Sequence, residues 1–146
     1  MPVDRLIEFA SNHWMMISGL LIVLVLLIQD IMESAMRKYK VVSALSTVTL
    51  MNQEDTLVLD VREPDEYAKG HIDGARLMTL GRVAERAHEL ESHKNKPIVV
   101  VCQSGTRSPE ACKILMKQGF NQVHNLAGGM MEWEEAKLPV TSKNKK

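Results

Sequence analysis

Cys102 stands where an apolar β-branched run, Val99-Val100-Val101, gives way to the polar stretch Gln103-Ser104-Gly105-Thr106-Arg107-Ser108-Pro109. A thiol there has two readings. Cysteine is among the most buried residue types, and an inert core thiol belongs inside an apolar run. This one sits where the run ends. Gly105 permits the positive φ that a tight loop needs, and Arg107 places a fixed cation five positions after the sulfur. Such a turn points several backbone N–H groups inward, and the positive end of a following helix adds to them. Both favour thiolate over thiol, so the stretch predicts a nucleophilic sulfur in an anion-binding loop.

The elements that position this loop follow from the flanking pattern. The run Ile98 to Val101 reads as a buried strand, and Glu110, Ala111, Ile114 and Leu115 repeat at helical spacing. Ser108 is expected as the N-cap and Pro109 at the first helical position, with Gly119 ending the helix. The same alternation runs through the rest of the chain. Strands are expected at Val41-Val42, Thr56 to Val61, Ala75 to Met78 and Gln122 to Asn125. Helices are expected from Ser43 or Ser46 to about Asn52, over Glu63 to Ala68, Val83 to Leu90 and Met131 to Ala136, with turns at Gly70 to Gly74, His93 to Pro97 and Gly128-Gly129. Short β-rich runs alternating with helices imply an α/β fold, a mostly parallel sheet with helices on both faces. Sites in such sheets lie at the carboxyl ends of strands, where Asp60 and Cys102 both fall.

Composition narrows the function classes. The 146 residues suffice for one modest domain and an appendage. Basic and acidic residues number 18 each, and the first forty residues hold four of each, so no basic field for nucleic acid exists in either part. Two cysteines ten apart make neither a disulfide framework nor a zinc set, and His88 and His93, five apart, fall on different helix faces. No metal and no cofactor is expected.

Trp14 to Ile28 is an uninterrupted uncharged run of 15 residues. As a helix it covers about 22 Å, short of a roughly 30 Å hydrocarbon core, so a span must extend to about His13 and Ile31. A cleaved signal peptide wants a positive n-region, whereas Asp4, Arg5 and Glu8 nearly cancel, and Glu33-Ser34-Ala35 is a poor cleavage site. A buried core helix wants a polar stripe, and Leu20 to Ile28 has none. A single-pass anchor is the reading that fits. Arg5 precedes the run while Arg37, Lys38 and Lys40 follow it, which places the C-terminal part in the cytoplasm, a compartment that keeps a thiol reduced. The expected organisation is therefore an N-terminal segment over 1–12, a transmembrane helix over 13–31, a linker over 32–40, a catalytic domain over 41–140 and a disordered basic tail over 141–146.

Three segments together resemble a single-domain rhodanese. They are Leu59-Asp60-Val61-Arg62-Glu63-Pro64-Asp65-Glu66-Tyr67 followed by Gly70-His71-Ile72-Asp73-Gly74-Ala75; the loop from Cys102 to Ser108; and Asn125-Leu126-Ala127-Gly128-Gly129 followed by Trp133. With the anchor, the chain is similar to a bacterial subgroup that hangs one such domain from one membrane helix, which implies the inner membrane. The resemblance implies a rhodanese-like fold and sulfur transfer. Cys102 would take the outer sulfur of thiosulfate or another sulfane donor as a persulfide and pass it to cyanide, a thiol or a sulfur-acceptor protein. Gln103, Ser104, Gly105, Thr106 and Arg107 would bind the substrate, Arg107 holding a sulfonate or bracing the loop against a carboxylate. Asp60, Arg62 and Ser108 would support the site.

Two competing readings stand beside this one. Phosphatases on the same fold have one residue more between cysteine and arginine than the four here, Gln103 to Thr106, and the shorter loop suits a single sulfur better than a phosphoryl group. A non-enzymatic module recruiting a membrane protein would not need a thiolate-stabilising turn. Glu66 and His71 read as acid and base candidates on type alone, with His71 better explained as a hydrogen-bonded turn residue. Cys112 reads as a core residue, a resolving role requiring close approach to Cys102. Trp133 reads as packing against the sheet, with a Met-flanked partner face as the alternative.

Overall fold

The computed structural model describes residues 3–35, 38–53 and 55–142. They fall into two compact units, Met1–Arg37 and Lys38–Lys146. The first holds α1 (Val3–Asn12) and α2 (Trp14–Ala35), separated by His13 alone. By length and composition α2 is sufficient to cross a membrane over Trp14–Met32, and none of that stretch is buried within the unit. The large side chains from Leu20 to Ile28 are all exposed.

The second unit is a five-stranded sheet of order β1-β5-β4-β2-β3, comprising β1 (Lys40–Val42), β2 (Leu57–Asp60), β3 (Arg76–Leu77), β4 (Ile98–Val101) and β5 (Val123–Leu126). All four ladders are parallel, and β4 lies at the centre with Val58 opposite Val99 on one side and His124 opposite Val99 on the other. The central strand of a parallel sheet covered on both faces is apolar along its length, and every residue of β4 is buried. Alternation along the strand sorts the core into two clusters. Leu59, Ile98, Val100 and Cys102 face Val83, Leu90, Ala111, Cys112 and Leu115; Val58, Val99, Val101 and Leu126 face Ala44, Ile72, Met130 and Trp133. Each fully buried Val, Leu or Ile contributes about 1.5–3 kcal/mol relative to exposure. A charge at Val100, central in the sheet, would therefore disrupt the cluster around Leu115.

The helices are α3 (Ala44–Gln53), α4 (Pro64–Lys69), α5 (Leu80–Arg86), α6 (Ser108–Lys117) and α7 (Gly129–Glu135), with a 3-10 helix over Ala87–His93. Ser43 caps α3, its hydroxyl accepting from the Ser46 N–H at 3.2 Å. Two expectations change. The helix expected over Val83 to Leu90 starts at Leu80 and tightens to 3-10 geometry after Arg86; Ala87 and Leu90, three apart, then share one buried face. The strand expected from Ala75 to Met78 keeps only Arg76–Leu77, because β3 is an edge strand paired on one side. Beyond the ladders, His71 pairs antiparallel with Thr141, so the end of the domain returns to the α4–β3 turn. Residues 143–146 of the expected disordered tail lie outside the described residues.

Candidate active site

Cys102 follows β4 directly and is fully buried. Its loop wraps back over the sulfur. The Gly105 N–H donates to Sγ at 3.1 Å, which places Gly105 at φ +86°, a left-handed conformation that glycine adopts without strain. The Ser108 hydroxyl lies 3.4 Å from Sγ. Burial of the sulfur is the largest single influence on its ionisation and opposes it. Against burial stand the Ser108 hydroxyl and the backbone N–H groups of Ser108, Arg107 and Gly105, and together they bring the thiol below its ordinary pKa.

Ser108 is not the N-cap. Arg107 occupies that position, and Ser108 is the first residue of α6. Its hydroxyl donates instead to Asn125 Oδ1 at 2.6 Å, across 17 residues, and receives the Cys102 thiol. A Ser-Pro pair before a helix reads locally as cap and first turn, but here a buried acceptor on β5 claims the hydroxyl.

Arg107 does not point a free cation at the sulfur. Its two terminal nitrogens meet both Glu66 carboxylate oxygens at 2.8 Å, a bidentate pair across 41 residues. Hydrogen bonding from Arg107 holds the Glu66 carboxyl down to about 2, and Glu66 in turn raises Arg107. Glu66 Oε2 also accepts the Glu63 N–H at 3.0 Å, closing the first turn of α4. The carboxylate thus ties the loop to that helix.

Asp60 and Arg62 form a second, buried pair at the end of β2, 2.8 Å apart. Arg62 spends its remaining donors on the Gly70 carbonyl at 2.7 Å and on Gln103 Oε1 at 3.0 Å. Gln103 is thereby fixed, whereas Ser104 and Thr106 form the exposed crest of the loop, their hydroxyls 3.3 Å apart. Beneath the loop, the N–H groups of Met130 and Met131 donate to the carbonyls of Cys102 and Gln103 at 2.8 and 3.1 Å. Gly129 is the reason α7 can approach so closely: its φ is +57°, and a Cβ there would collide with the Cys102 carbonyl. A hollow of about 380 Å³ opens beside Gln103, bounded by Arg62, Glu66, Lys69, Gly70 and Glu134.

The structure thus brings Cys102, the 103–107 loop, Ser108, Asp60 and Arg62 into one constellation. Three roles are not legible in the sequence: Glu66, an acid or base candidate by type, is the partner of Arg107, and Asn125 and Gly129, both within the third family-like segment, accept the Ser108 hydroxyl and let α7 approach the Cys102 carbonyl. His71 is spent on structure: its Nδ1 lies 2.9 Å from the Tyr67 carbonyl and its ring stacks on Tyr67 at 3.7 Å. Cys112 lies in the core with its thiol directed at the His124 carbonyl, and burial pushes it up to about 12. Trp133 is buried, its indole donating to the Pro139 carbonyl at 3.0 Å. Among the described residues, no three His, Cys, Asp or Glu side chains come together as a metal site.

Residues 43–136 match the rhodanese-like domain. An uncharacterised protein of Escherichia coli K12, YibN, is 33% identical over 139 residues, covering 94% of this chain and 97% of that protein. Thiosulfate sulfurtransferase GlpE of Pseudoalteromonas translucida is 34% identical over 98 residues, covering 67% of this chain and 91% of that protein. Among solved structures, a rhodanese-related protein of Thermoplasma volcanium superposes with a TM-score of 0.64 at 30% identity, over 70% of this chain and 98% of that one.

Proposed function

The chain belongs to the rhodanese-like domain family, and from that premise we propose that it is a membrane-anchored sulfurtransferase working through a Cys102 persulfide. The observation that carries this is the sulfur itself, at the end of the central strand, with the Gly105 N–H at 3.1 Å and its pKa drawn down. The Cys102 thiolate attacks the outer sulfur of thiosulfate. A bond forms between Sγ and that sulfur, the donor's S–S bond breaks, and sulfite leaves with its electron pair. The negative charge passes to the terminal sulfur of the persulfide, where loop N–H groups hold it. A thiol or cyanide acceptor then attacks that terminal sulfur and Cys102 leaves as thiolate. A persulfide donor enters by the same route with a thiolate as leaving group.

Substrate contact falls to residues 103–107. Because Sγ is covered, a donor reaches it as the Ser104–Thr106 crest yields, and the hollow beside Gln103 gives the acceptor its approach. Arg107 receives the sulfonate while sharing its charge with Glu66. Asp60, Arg62 and Ser108 hold the loop's shape. The span from about His13 to Ile31, with Trp14 to Ile28 at its core, crosses the bacterial inner membrane with the catalytic domain in the cytoplasm. The exposed apolar surface of α2 supports the span, and the basic residues Arg37, Lys38 and Lys40 that follow it support the orientation.

Intact mass after incubating the full-length protein with thiosulfate tests the reading. A gain of about 32 Da, one sulfur atom, is expected and is absent in Cys102→Ala. No gain with thiosulfate or a polysulfide would leave a recruiting module as the function. A reporter fused after Lys146 should read as cytoplasmic; a periplasmic reading overturns the orientation.

A further inference from the structure

The hydroxyl of Ser108 carries one proton and has two buried claimants. It donates to Asn125 Oδ1 at 2.6 Å, while its own oxygen accepts from the Cys102 thiol 3.4 Å away. Cys102 and Ser108 are fully buried and Asn125 is 6% exposed, so bulk water does not supply a substitute donor. In this arrangement the sulfur is a thiol. For Ser108 to donate to a thiolate, its proton must turn from Asn125 to Sγ, and Asn125 Oδ1 must give it up. A carboxamide does this without moving a heavy atom elsewhere: rotated by half a turn, it offers Nδ2–H to Ser108 Oγ in the same space.

Resting on the reading of Cys102 as the nucleophile, we propose that Asn125 is a positioning residue whose amide orientation directs the Ser108 proton and so sets how readily Cys102 ionises. The two orientations correspond to two protonation states of the sulfur. With Oδ1 toward Ser108 the thiol keeps its proton; with Nδ2 toward Ser108 the hydroxyl swings to the sulfur and the thiol proton leaves to solvent. The Gly105 N–H points at the sulfur in both. The other titratable or charged groups around the site are Arg107 in the loop, held by Glu66 of α4; Cys112 of α6; the Asp60–Arg62 pair after β2; and His124 beside Asn125 in β5. None of the first five shares the Ser108 proton, so their influence persists when Ser108 is removed, whereas that of Asn125 does not.

The test is a thiolate titration of the full-length protein, reading Cys102 alkylation by iodoacetamide against pH by mass, which does not depend on sulfur transfer. Asn125→Asp, ionised, can only accept, withholds the Ser108 proton, and should raise the midpoint by about one pH unit, a tenfold loss of thiolate at fixed pH. Asn125→Ala removes the competing acceptor and should lower it. In a Ser108→Ala background both substitutions should leave the midpoint where Ser108→Ala alone puts it. An Asn125→Asp shift that survives loss of Ser108 is a direct charge effect and overturns the proposal, as does an unmoved midpoint in both Ser108 backgrounds. If Asn125→Asp does not fold, the Asn125→Ala pair decides: a raised midpoint, or one lowered equally without Ser108, overturns it. Failure of thiosulfate to load sulfur would instead strike the enzymatic reading and leave these midpoints unaffected.

Discussion

The Arg107 guanidinium lies flat against the Glu66 carboxylate with both N–O distances at 2.8 Å, which makes the cation of the nucleophile loop half of an ion pair rather than a free charge. An anionic donor must share Arg107 with Glu66. In the proposed reaction, the pair therefore moderates how strongly the site would prefer thiosulfate over an uncharged donor.

Freeing Arg107 should sharpen that preference. Glu66→Gln is expected to lower the KM for thiosulfate by about fivefold, on the order of 1 kcal/mol for a partly exposed pair, with little change for a polysulfide donor. Arg107→Ala should raise the thiosulfate KM far more than the polysulfide KM. Steady-state kinetics with both donors decides; equal changes for the two would remove the sulfonate-binding role.

The same pair gives stability an acid limb. Glu66 titrates at about 2 in the folded chain, below the usual carboxylate value near 4.3. A depressed carboxyl stabilises the folded state above its unfolded pKa, and that contribution disappears as pH falls toward the folded value. Unfolding free energies of wild type and Glu66→Gln from urea titrations should differ by about 1 kcal/mol at pH 6, after allowing for solvent screening, and converge between about pH 5 and 2.

Arg62 should be far less tolerant than Arg107. It is 3% exposed and its partner Asp60 is fully buried. Arg62→Met leaves a buried carboxylate without its counter-charge and frees Gln103, so a loss of about 3–5 kcal/mol in chemical denaturation is expected. A loss under 1 kcal/mol would show that water reaches Asp60 once the guanidinium is gone.

Gly129→Ala places a methyl group against the Cys102 carbonyl at a left-handed position. The backbone conformation alone costs about 1–3 kcal/mol. Either α7 or the loop must shift, and a misplacement near 1 Å at the sulfur should slow persulfide formation by about a hundredfold. Rapid-mix mass spectrometry with thiosulfate reads this directly; unchanged kinetics would mean that α7 does not hold the loop.

The two thiols should separate completely by reactivity. Cys102 is drawn below its ordinary value while Cys112 is pushed up to about 12. Native protein treated with iodoacetamide at pH 8 should gain one label, on Cys102. A second label on Cys112 without unfolding would reopen a resolving role for it.

What could be read from the chain alone was whatever is local. The β-branched run at Ile98–Val101, the glycine three residues after Cys102 and the period of α6 each follow from neighbours in sequence, and the parallel sheet follows from their alternation. What could not be read was pairing over distance. Arg107 finds Glu66, and Arg62 finds Gln103, 41 residues away only once β2 and β4 lie side by side. Ser108 shows the cost of local reasoning most clearly. Its sequence neighbours make it a cap, and only the ladder that sets Asn125 against Val100 brings the acceptor that takes its hydroxyl away.

Strand order also sets a timetable. The first strand of the catalytic unit, β1, has its one sheet neighbour in the last, β5, and the floor of the nucleophile loop is made by the N–H groups of Met130 and Met131. During synthesis Cys102 therefore emerges before the residues that close the floor of its loop. The Gly105, Arg107 and Ser108 groups that favour its ionisation lie within six residues of it, but α7, which supports their loop from below, comes last among the described helices.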